Sequence, residues 1–138
     1  MEIVKIGVGT LLIKDDLIFL SKRKGSHAQG FWGSTGGHLE FGESFENCAR
    51  REALEEFGLV LGQMTFLCVS NIVEYDRHYV DVEYVSKLKQ DQCPVIQEPD
   101  KFETCGWFRK EELPEPLFRP VDYAIKAFLS GEFFWDNV

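Results

Sequence analysis

The chain has 138 residues, of which 44% are hydrophobic, and a formal net charge of -8. This size and composition predict a single globular domain over residues 1–138 and exclude a disordered chain. The acidic charge argues against a nucleic-acid polymer as partner, because such proteins present a basic surface and the largest basic cluster here is Lys-Arg-Lys at 22–24.

No apolar run reaches the roughly 20 residues that a membrane helix needs, so we expect no membrane partner. Residues 6–13 are apolar, but Asp15 and Asp16 follow them without a small-residue cleavage site, which favours a strand over a signal peptide. The four cysteines have no CxxC spacing, which argues against a zinc site. Without an export signal, we expect reduced thiols in a cytoplasmic protein.

Apolar alternation and the positions of glycine, proline and aspartate predict strands and helices in a mixed order. Strands over residues 3–13 and 17–20 come first. Ser44 is a predicted N-cap, and Gly58 ends a predicted helix of about 13 residues. The later predictions are strands over 64–75, 79–88 and 104–109, a loop over 89–101, and a helix over 121–129 behind Pro120. This order indicates an α/β domain.

The first predicted helix carries three glutamates on one side. Glu52, Glu55 and Glu56 are spaced i, i+3 and i+4, so their carboxylates lie together and repel one another. A hard divalent cation removes that repulsion, since Mg²⁺ prefers carboxylate oxygens, phosphates and water. The pattern predicts metal-assisted chemistry on a phosphate compound, and a solvated acidic helix face is the alternative.

A glycine-rich segment over residues 25–37 precedes this helix and is predicted to be an irregular loop. Its five glycines surround Phe31 and Trp32, which indicates tight turns or a close approach of the backbone to a ligand. It is not a P-loop, because no Gly-Lys-Ser/Thr sequence follows.

Residues 37–59 contain a motif of nine residues at defined spacing. These are Gly37, Glu43, Arg51, Glu52, Ala53, Glu55, Glu56, Gly58 and Leu59. This pattern resembles the Nudix hydrolase signature without a gap, although Ala53 is small for its hydrophobic position. Over about residues 6–115, the sequence resembles the MutT-like branch of that family. Ser34-Thr35 departs from the pattern, because family members commonly have a proline before the Gly-Gly pair. The departure bears on substrate preference more than on catalysis.

The resemblance implies a Nudix α/β/α sandwich with a mixed β-sheet, in which the signature forms a catalytic loop-helix-loop. It also implies hydrolysis of a nucleoside diphosphate linked to a group X, with Mg²⁺ or Mn²⁺ as cofactor. The leading expectation is conversion of a nucleoside triphosphate to the monophosphate and pyrophosphate. The alternatives are hydrolysis of ADP-ribose, hydrolysis of dinucleoside polyphosphates, and a catalytically silent nucleotide-binding regulatory domain.

Tyr75 bears on these alternatives. A tyrosine near this distance past the signature marks some dinucleoside polyphosphate hydrolases, so that activity stays open. The proline that ADP-ribose members carry about there is missing.

The same resemblance assigns roles within the signature. It implies that Glu52, Glu56 and the Gly37 carbonyl are metal ligands. Glu55 is either a third carboxylate ligand or the general base, and we divide the base role between Glu52 and Glu55. Retention of all the signature glutamates argues for activity over a silent domain.

Five further residues are expected around this centre. Glu43 and Arg51 form an orienting ion pair, for which an ordinary surface salt bridge is the alternative. Arg23 is the candidate for phosphate contact, because a guanidinium group matches phosphate geometry. Phe31 and Trp32 are candidates for stacking on the base of a nucleotide substrate, and a core role is equally compatible with the sequence.

Two features outside the signature complete the expectations. Glu98 and Glu103 are candidates for the downstream carboxylate that completes the metal site in some MutT-like proteins. The apolar tail over residues 133–135 is expected to pack on the body of the domain or on a second subunit, which would make a homodimer.

Overall fold

The computed structural model describes residues 2–25 and 27–138, leaving out the side chain of Asn137. It contains eight strands and two helices: β1 (Val4–Lys14), β2 (Leu17–Arg23), β3 (Trp32–Gly33), β4 (Thr35–His38), α1 (Phe45–Phe57), β5 (Thr65–Glu74), β6 (Arg77–Lys87), β7 (Phe102–Arg109), α2 (Arg119–Ser130) and β8 (Phe134–Asn137).

The strands form one mixed sheet. Its order is β3-β2-β1-β6-β5-β8, with β4 paired to β1 and β7 paired to β2. The central pair β1–β6 is parallel, as is β5–β8, and the other pairs are antiparallel. The long parallel pair places the start of β1 beside the start of β6, where the cleft described below opens.

Each face of the sheet is covered by one helix, because the side chains of β1 point alternately to opposite faces. Leu12 packs in one core cluster with Phe57 of α1. Leu11 packs in a second cluster with Ile125 of α2. These three layers confirm the predicted α/β/α sandwich.

Helix α1 begins and ends at the predicted capping residues. The Ser44 hydroxyl accepts a hydrogen bond from the backbone N–H of Asn47 at 3.1 Å. Gly58 ends the helix with φ of 67°, a left-handed conformation that glycine adopts without steric penalty. Between these caps the helix buries two glutamates, Glu52 and Glu56. Charged residues are almost never buried without partners, so these two require an explanation.

The prediction of an irregular loop over residues 25–37 is wrong for its second half, which contains β3 and most of β4. Gly36 and Gly37 pair with Gly9 and Val8 of β1. Their strand conformation depends on this distant partner and not on local propensity, which is low for glycine.

The C-terminal tail forms the edge strand β8 beside β5. Trp135 stacks on Tyr123 of α2 with ring centroids 4.7 Å apart. Phe133 and Phe134 remain exposed. The tail therefore packs on the body through Trp135. In the described part of the chain, no helix combines the length and apolarity that crossing a membrane requires.

Candidate active site

Glu56 lies on the side of α1 that faces β4. Its Oε1 atom accepts hydrogen bonds from the Thr35 hydroxyl at 2.7 Å and from the backbone N–H of Gly36 at 2.9 Å. Burial raises the pKa of Glu56 to about 8, although both hydrogen bonds act to lower it. Thr35, where the sequence departs from the usual pattern, thus supplies a hydroxyl that orients a buried carboxylate.

Glu52 lies one turn before Glu56 and is also buried. A Cβ atom at Gly37 would collide with the Glu52 carboxylate, so only glycine permits this approach. The Oε1 atom of Glu52 accepts a hydrogen bond from Arg51 Nη1 at 2.7 Å. Burial raises the pKa of Glu52, and the contact with Arg51 acts to lower it.

Arg51 connects α1 to the loop that precedes it. Its Nε and Nη2 atoms donate to the two carboxylate oxygens of Glu43 at 2.7 Å and 3.1 Å. The hydrogen bond from Arg51 lowers the pKa of Glu43 to about 2. Nη2 also donates to the backbone carbonyl of His38 at 3.3 Å. The predicted ion pair is present, and its bidentate geometry is more specific than that of an ordinary surface pair.

Glu55 lies apart from the two buried glutamates. Its side chain is half exposed, and its ion pair with Arg51 Nη1 spans 3.4 Å. It does not line the cleft that opens in front of Glu52 and Glu56. The role of Glu55 as third ligand or general base stays a prediction.

The cleft has a volume of about 1390 Å³, large enough for a nucleotide. Glu52, Glu56, Gly36 and Gly37 line one part of it. The remaining wall includes Arg23, His27, Tyr75, Tyr79, Asp81, Glu83, Lys101 and Phe118.

Arg23 lies on this wall over an aromatic surface. Its guanidinium carbon is 4.3 Å from the ring centroid of Phe118, and Tyr75 stacks on the same ring at 5.2 Å. Burial lowers the pKa of Arg23, while the negative charge of Glu56 acts to raise it. Arg23 is therefore within electrostatic range of the buried carboxylates.

The two predicted base-stacking residues do not line the cleft. Trp32 packs against the α2-side core with its ring 5.3 Å from that of Phe108. Phe31 contacts the edge of Tyr75 at 5.3 Å. Their stacking on a base stays a prediction, and the Tyr and Phe residues that do line the cleft are Tyr75, Tyr79, Phe102 and Phe118.

The two downstream carboxylates also lie away from the cleft. Glu103 forms an ion pair with Lys22 at 3.1 Å, and Glu98 is 3.4 Å from Lys101 Nζ. Of these four side chains, only that of Lys101 belongs to a residue that lines the cleft.

Sequence reasoning missed Asp81 and Glu83, which line the cleft from β6 and are 5% and 2% exposed. The available signal was their alternation with Val80 and Val82, which puts both acids on one face of the strand. An acidic strand face ordinarily indicates solvent, and here that face lies under α2.

The residues present fit a hard divalent cation. The hydrogen bonds recorded among the described residues use only Oε1 of Glu52 and of Glu56, which leaves each Oε2 for a metal. No group of three or more His, Cys, Asp or Glu side chains within the described ranges could hold a metal. Mg²⁺ does not require one, because it is commonly bound by one or two carboxylates together with water and substrate phosphates.

The sequence is similar to those of several known nucleotide hydrolases. The chain is 38% identical to an 8-oxo-dGTP diphosphatase of Proteus vulgaris over 98 residues, which are 65% of this chain and 88% of that protein. It is 32% identical to the NAD-capped RNA hydrolase ndx-9 of Caenorhabditis elegans over 71% of this chain. The match spans 26% of that protein, and another spans 36% of a human NAD(P)H pyrophosphatase.

Structural comparison gives the same family. The crystal structure of a MutT NUDIX hydrolase from Burkholderia pseudomallei superposes with a TM-score of 0.85 and 33% identity, covering 91% of this chain and 98% of that one. The family model for the NUDIX domain matches residues 4–128. Glu52 and Glu56 of the signature are buried at the wall of the cleft, and this chain belongs to the NUDIX family.

Proposed function

We propose that the protein hydrolyses a nucleoside diphosphate linked to a group X, with Mg²⁺ or Mn²⁺ as cofactor. The preferred substrate in this proposal is a nucleoside triphosphate, which yields the monophosphate and pyrophosphate. The observation that carries the proposal is the burial of Glu52 and Glu56 beside Gly36 and Gly37, at the wall of a nucleotide-sized cleft.

The bound metal would activate a water molecule and neutralise charge on the pyrophosphate. In this proposal Glu52 and Glu56 hold the metal with the Gly37 carbonyl, and Glu55 is a third ligand or shares the base role with Glu52. The pair Glu43 and Arg51 fixes the loop against the helix. The hydrogen bond from Arg51 to Glu52 supports this orienting role.

Arg23 binds substrate phosphate in this proposal. Two observations support the assignment: the guanidinium lies over the ring of Phe118, and the charge of Glu56 acts on its pKa. Phe31 and Trp32 were expected to stack on the base, and Tyr75 and Phe118 are better placed for that contact.

Two of the relatives support a triphosphate substrate. The Proteus vulgaris relative is named an 8-oxo-dGTP diphosphatase, and a mouse relative, 30% identical over 118 residues, is named an oxidized purine nucleoside triphosphate hydrolase. A dinucleoside polyphosphate is the second candidate, because Tyr75 lines the cleft.

We further propose a cytoplasmic location, supported by four free cysteines. A homodimer through the exposed Phe133 and Phe134 is also proposed.

The test is product analysis with Mg²⁺ over a panel of nucleoside triphosphates, ADP-ribose and dinucleoside polyphosphates. Release of pyrophosphate from triphosphates is the expected result. Glu56→Gln and Glu55→Gln should each lower turnover by about 10²–10⁴-fold, the typical effect of removing a group with such a role. Glu132→Gln, which neutralises an exposed carboxylate far along the chain, is the matched control.

Circular dichroism should show that the glutamine variants keep the wild-type fold. Near-wild-type turnover of both Glu55→Gln and Glu56→Gln at saturating Mg²⁺ would contradict the assigned roles. Absence of metal-dependent hydrolysis across the whole panel would instead favour the silent nucleotide-binding domain.

A further inference from the structure

A row of buried polar side chains on β6 lines the cleft on the α2 side of the sheet. Tyr79, Asp81 and Glu83 alternate along the strand and so point to the same face. Each has a buried atom without a hydrogen-bond partner among the described residues: Tyr79 Oη, Asp81 Oδ2 and Glu83 Oε1. Ser70, which pairs with Asp81 across β5 and β6, adds its buried Oγ to this set. Native proteins leave few such atoms unpaired, so three in one row on β6, with a fourth on the neighbouring strand, indicate a ligand.

Two glycines on β1 make room for the carboxyl groups. A Cβ atom at Gly7 would lie 3.0 Å from Asp81 Oδ1, and one at Gly9 would collide with the Glu83 carboxyl group. Any larger residue at either position would therefore displace an acid. The two acids therefore lie against the backbone of β1, and both residues line the cleft.

The two acids act as one hydrogen-bond-accepting unit. They share a side-chain hydrogen bond, and burial raises the pKa of Asp81 to about 6 and that of Glu83 well above its usual value. No ion pair among the described residues includes either acid, so none of the described cations supplies the donors that their free oxygens require.

We propose that Tyr79, Asp81 and Glu83 form a nucleobase subsite that selects a guanine-type base, an inference that rests on the proposed function for the phosphate end of the ligand. Guanine presents two neighbouring donors, N1–H and the N2 amino group, beside the acceptor O6. The carboxyl oxygens accept the two N–H bonds, and the hydroxyl of Tyr79 donates to O6.

Other bases match this row less well. Uracil and thymine present a single N–H between two carbonyls, and a carboxylate repels both carbonyls. Adenine presents one amino group beside a ring acceptor. The ring of Phe118, stacked on Tyr79 at a centroid distance of 6.5 Å, provides a flat apolar surface next to the row.

The test is calorimetric titration with GMP, IMP and UMP in the absence of metal, which measures binding without hydrolysis. IMP is the matched ligand because hypoxanthine lacks only the N2 amino group. A hydrogen bond from that group to a carboxylate predicts that GMP binds the wild type about 10- to 100-fold more tightly than IMP. UMP is expected to bind more weakly than either purine nucleotide.

Asp81→Asn and Glu83→Gln should each reduce the ratio of the GMP and IMP dissociation constants to within about threefold of unity. The control Glu132→Gln should keep the wild-type ratio. Equal binding of GMP and IMP by the wild type would overturn the proposal, as would an unchanged ratio in both variants or no binding of any monophosphate at millimolar concentration. A retained guanine preference without any metal-dependent hydrolysis would support this subsite and contradict the proposed enzymatic function.

Discussion

Asp81→Asn is expected to stabilise the protein at neutral pH while weakening ligand binding. Burial raises the pKa of Asp81 from 3.8 to about 6, although the hydrogen bond with Glu83 acts to lower it. One pKa unit corresponds to about 1.4 kcal/mol, so ionising this buried acid opposes folding by on the order of 3 kcal/mol. Asparagine keeps the shape of the side chain, offers an N–H donor to Glu83 and carries no charge.

The pH dependence follows from the direction of the shift. The folded-state pKa is the higher one, so the folded state binds more protons between about pH 4 and pH 6, and wild-type stability falls as pH rises through that window. The titratable side chains facing Asp81 are Glu83 on the same strand, Cys68 on β5 and Tyr79. Burial raises the pKa of Cys68 to about 12, and it raises that of Tyr79 as well, so neither titrates in this window.

Urea unfolding followed by tryptophan fluorescence at pH 4, 5, 6, 7 and 8 measures the effect. The variant loses the ionisation of Asp81 together with its effect on the pKa of Glu83, so the difference in the two free energies of unfolding reports on this pair of acids. We expect a difference near zero at pH 4, and an advantage of the variant on the order of 2–3 kcal/mol at pH 7. A difference that does not change with pH, or a variant that is less stable at pH 7, would refute the reasoning.

Two further predictions concern the contacts of two signature glutamates, Glu56 and Glu43. Thr35→Val removes the hydroxyl that donates to Glu56, and we expect turnover to fall about tenfold, with Thr35→Ser restoring it; steady-state kinetics at saturating Mg²⁺ measures both. Glu43→Gln breaks the charged pair with Arg51. Because the folded pKa of Glu43 is lowered to about 2, the pair stabilises the wild type above about pH 4.5. The wild type should therefore melt at a higher temperature than Glu43→Gln at neutral pH, and this difference should vanish as pH falls toward 2. A difference that persists at pH 2 would contradict this assignment.

Local signals explain why α1 could be predicted almost residue by residue. Ser44 and Gly58 act through hydrogen bonds and backbone angles within a few residues of themselves, so sequence spacing is sufficient to locate them. The strands β3 and β4 could not be predicted in this way. They are short and rich in glycine, and their conformation comes from pairing with β1 and β2, which are distant in sequence.

Asp81 and Glu83 could not be predicted as cleft residues for a different reason. Alternation placed Asp81 and Glu83 on one face of β6 but did not reveal whether that face meets solvent or protein. Trp32 illustrates the same limit, because its glycine-rich surroundings suggested a ligand contact and the structure packs it against Phe108. Burial depends on which helix covers which face, and that is decided by the whole sheet.

The same structural feature, a carboxyl group packed against a glycine, occurs at both ends of the proposed ligand. On the α1 side, Glu52 lies against Gly37, and the backbone N–H of Gly36 binds Glu56. On the α2 side, Asp81 and Glu83 lie against two glycines of β1. In each case the missing side chain of glycine lets a carboxyl group approach the backbone, and burial then raises the pKa of that acid. Such buried acids oppose folding unless something binds them. A metal would compensate the charge of Glu52 and Glu56, and the N–H groups of a base would satisfy Asp81 and Glu83. The free energy of unfolding should therefore rise most when metal and base are bound together.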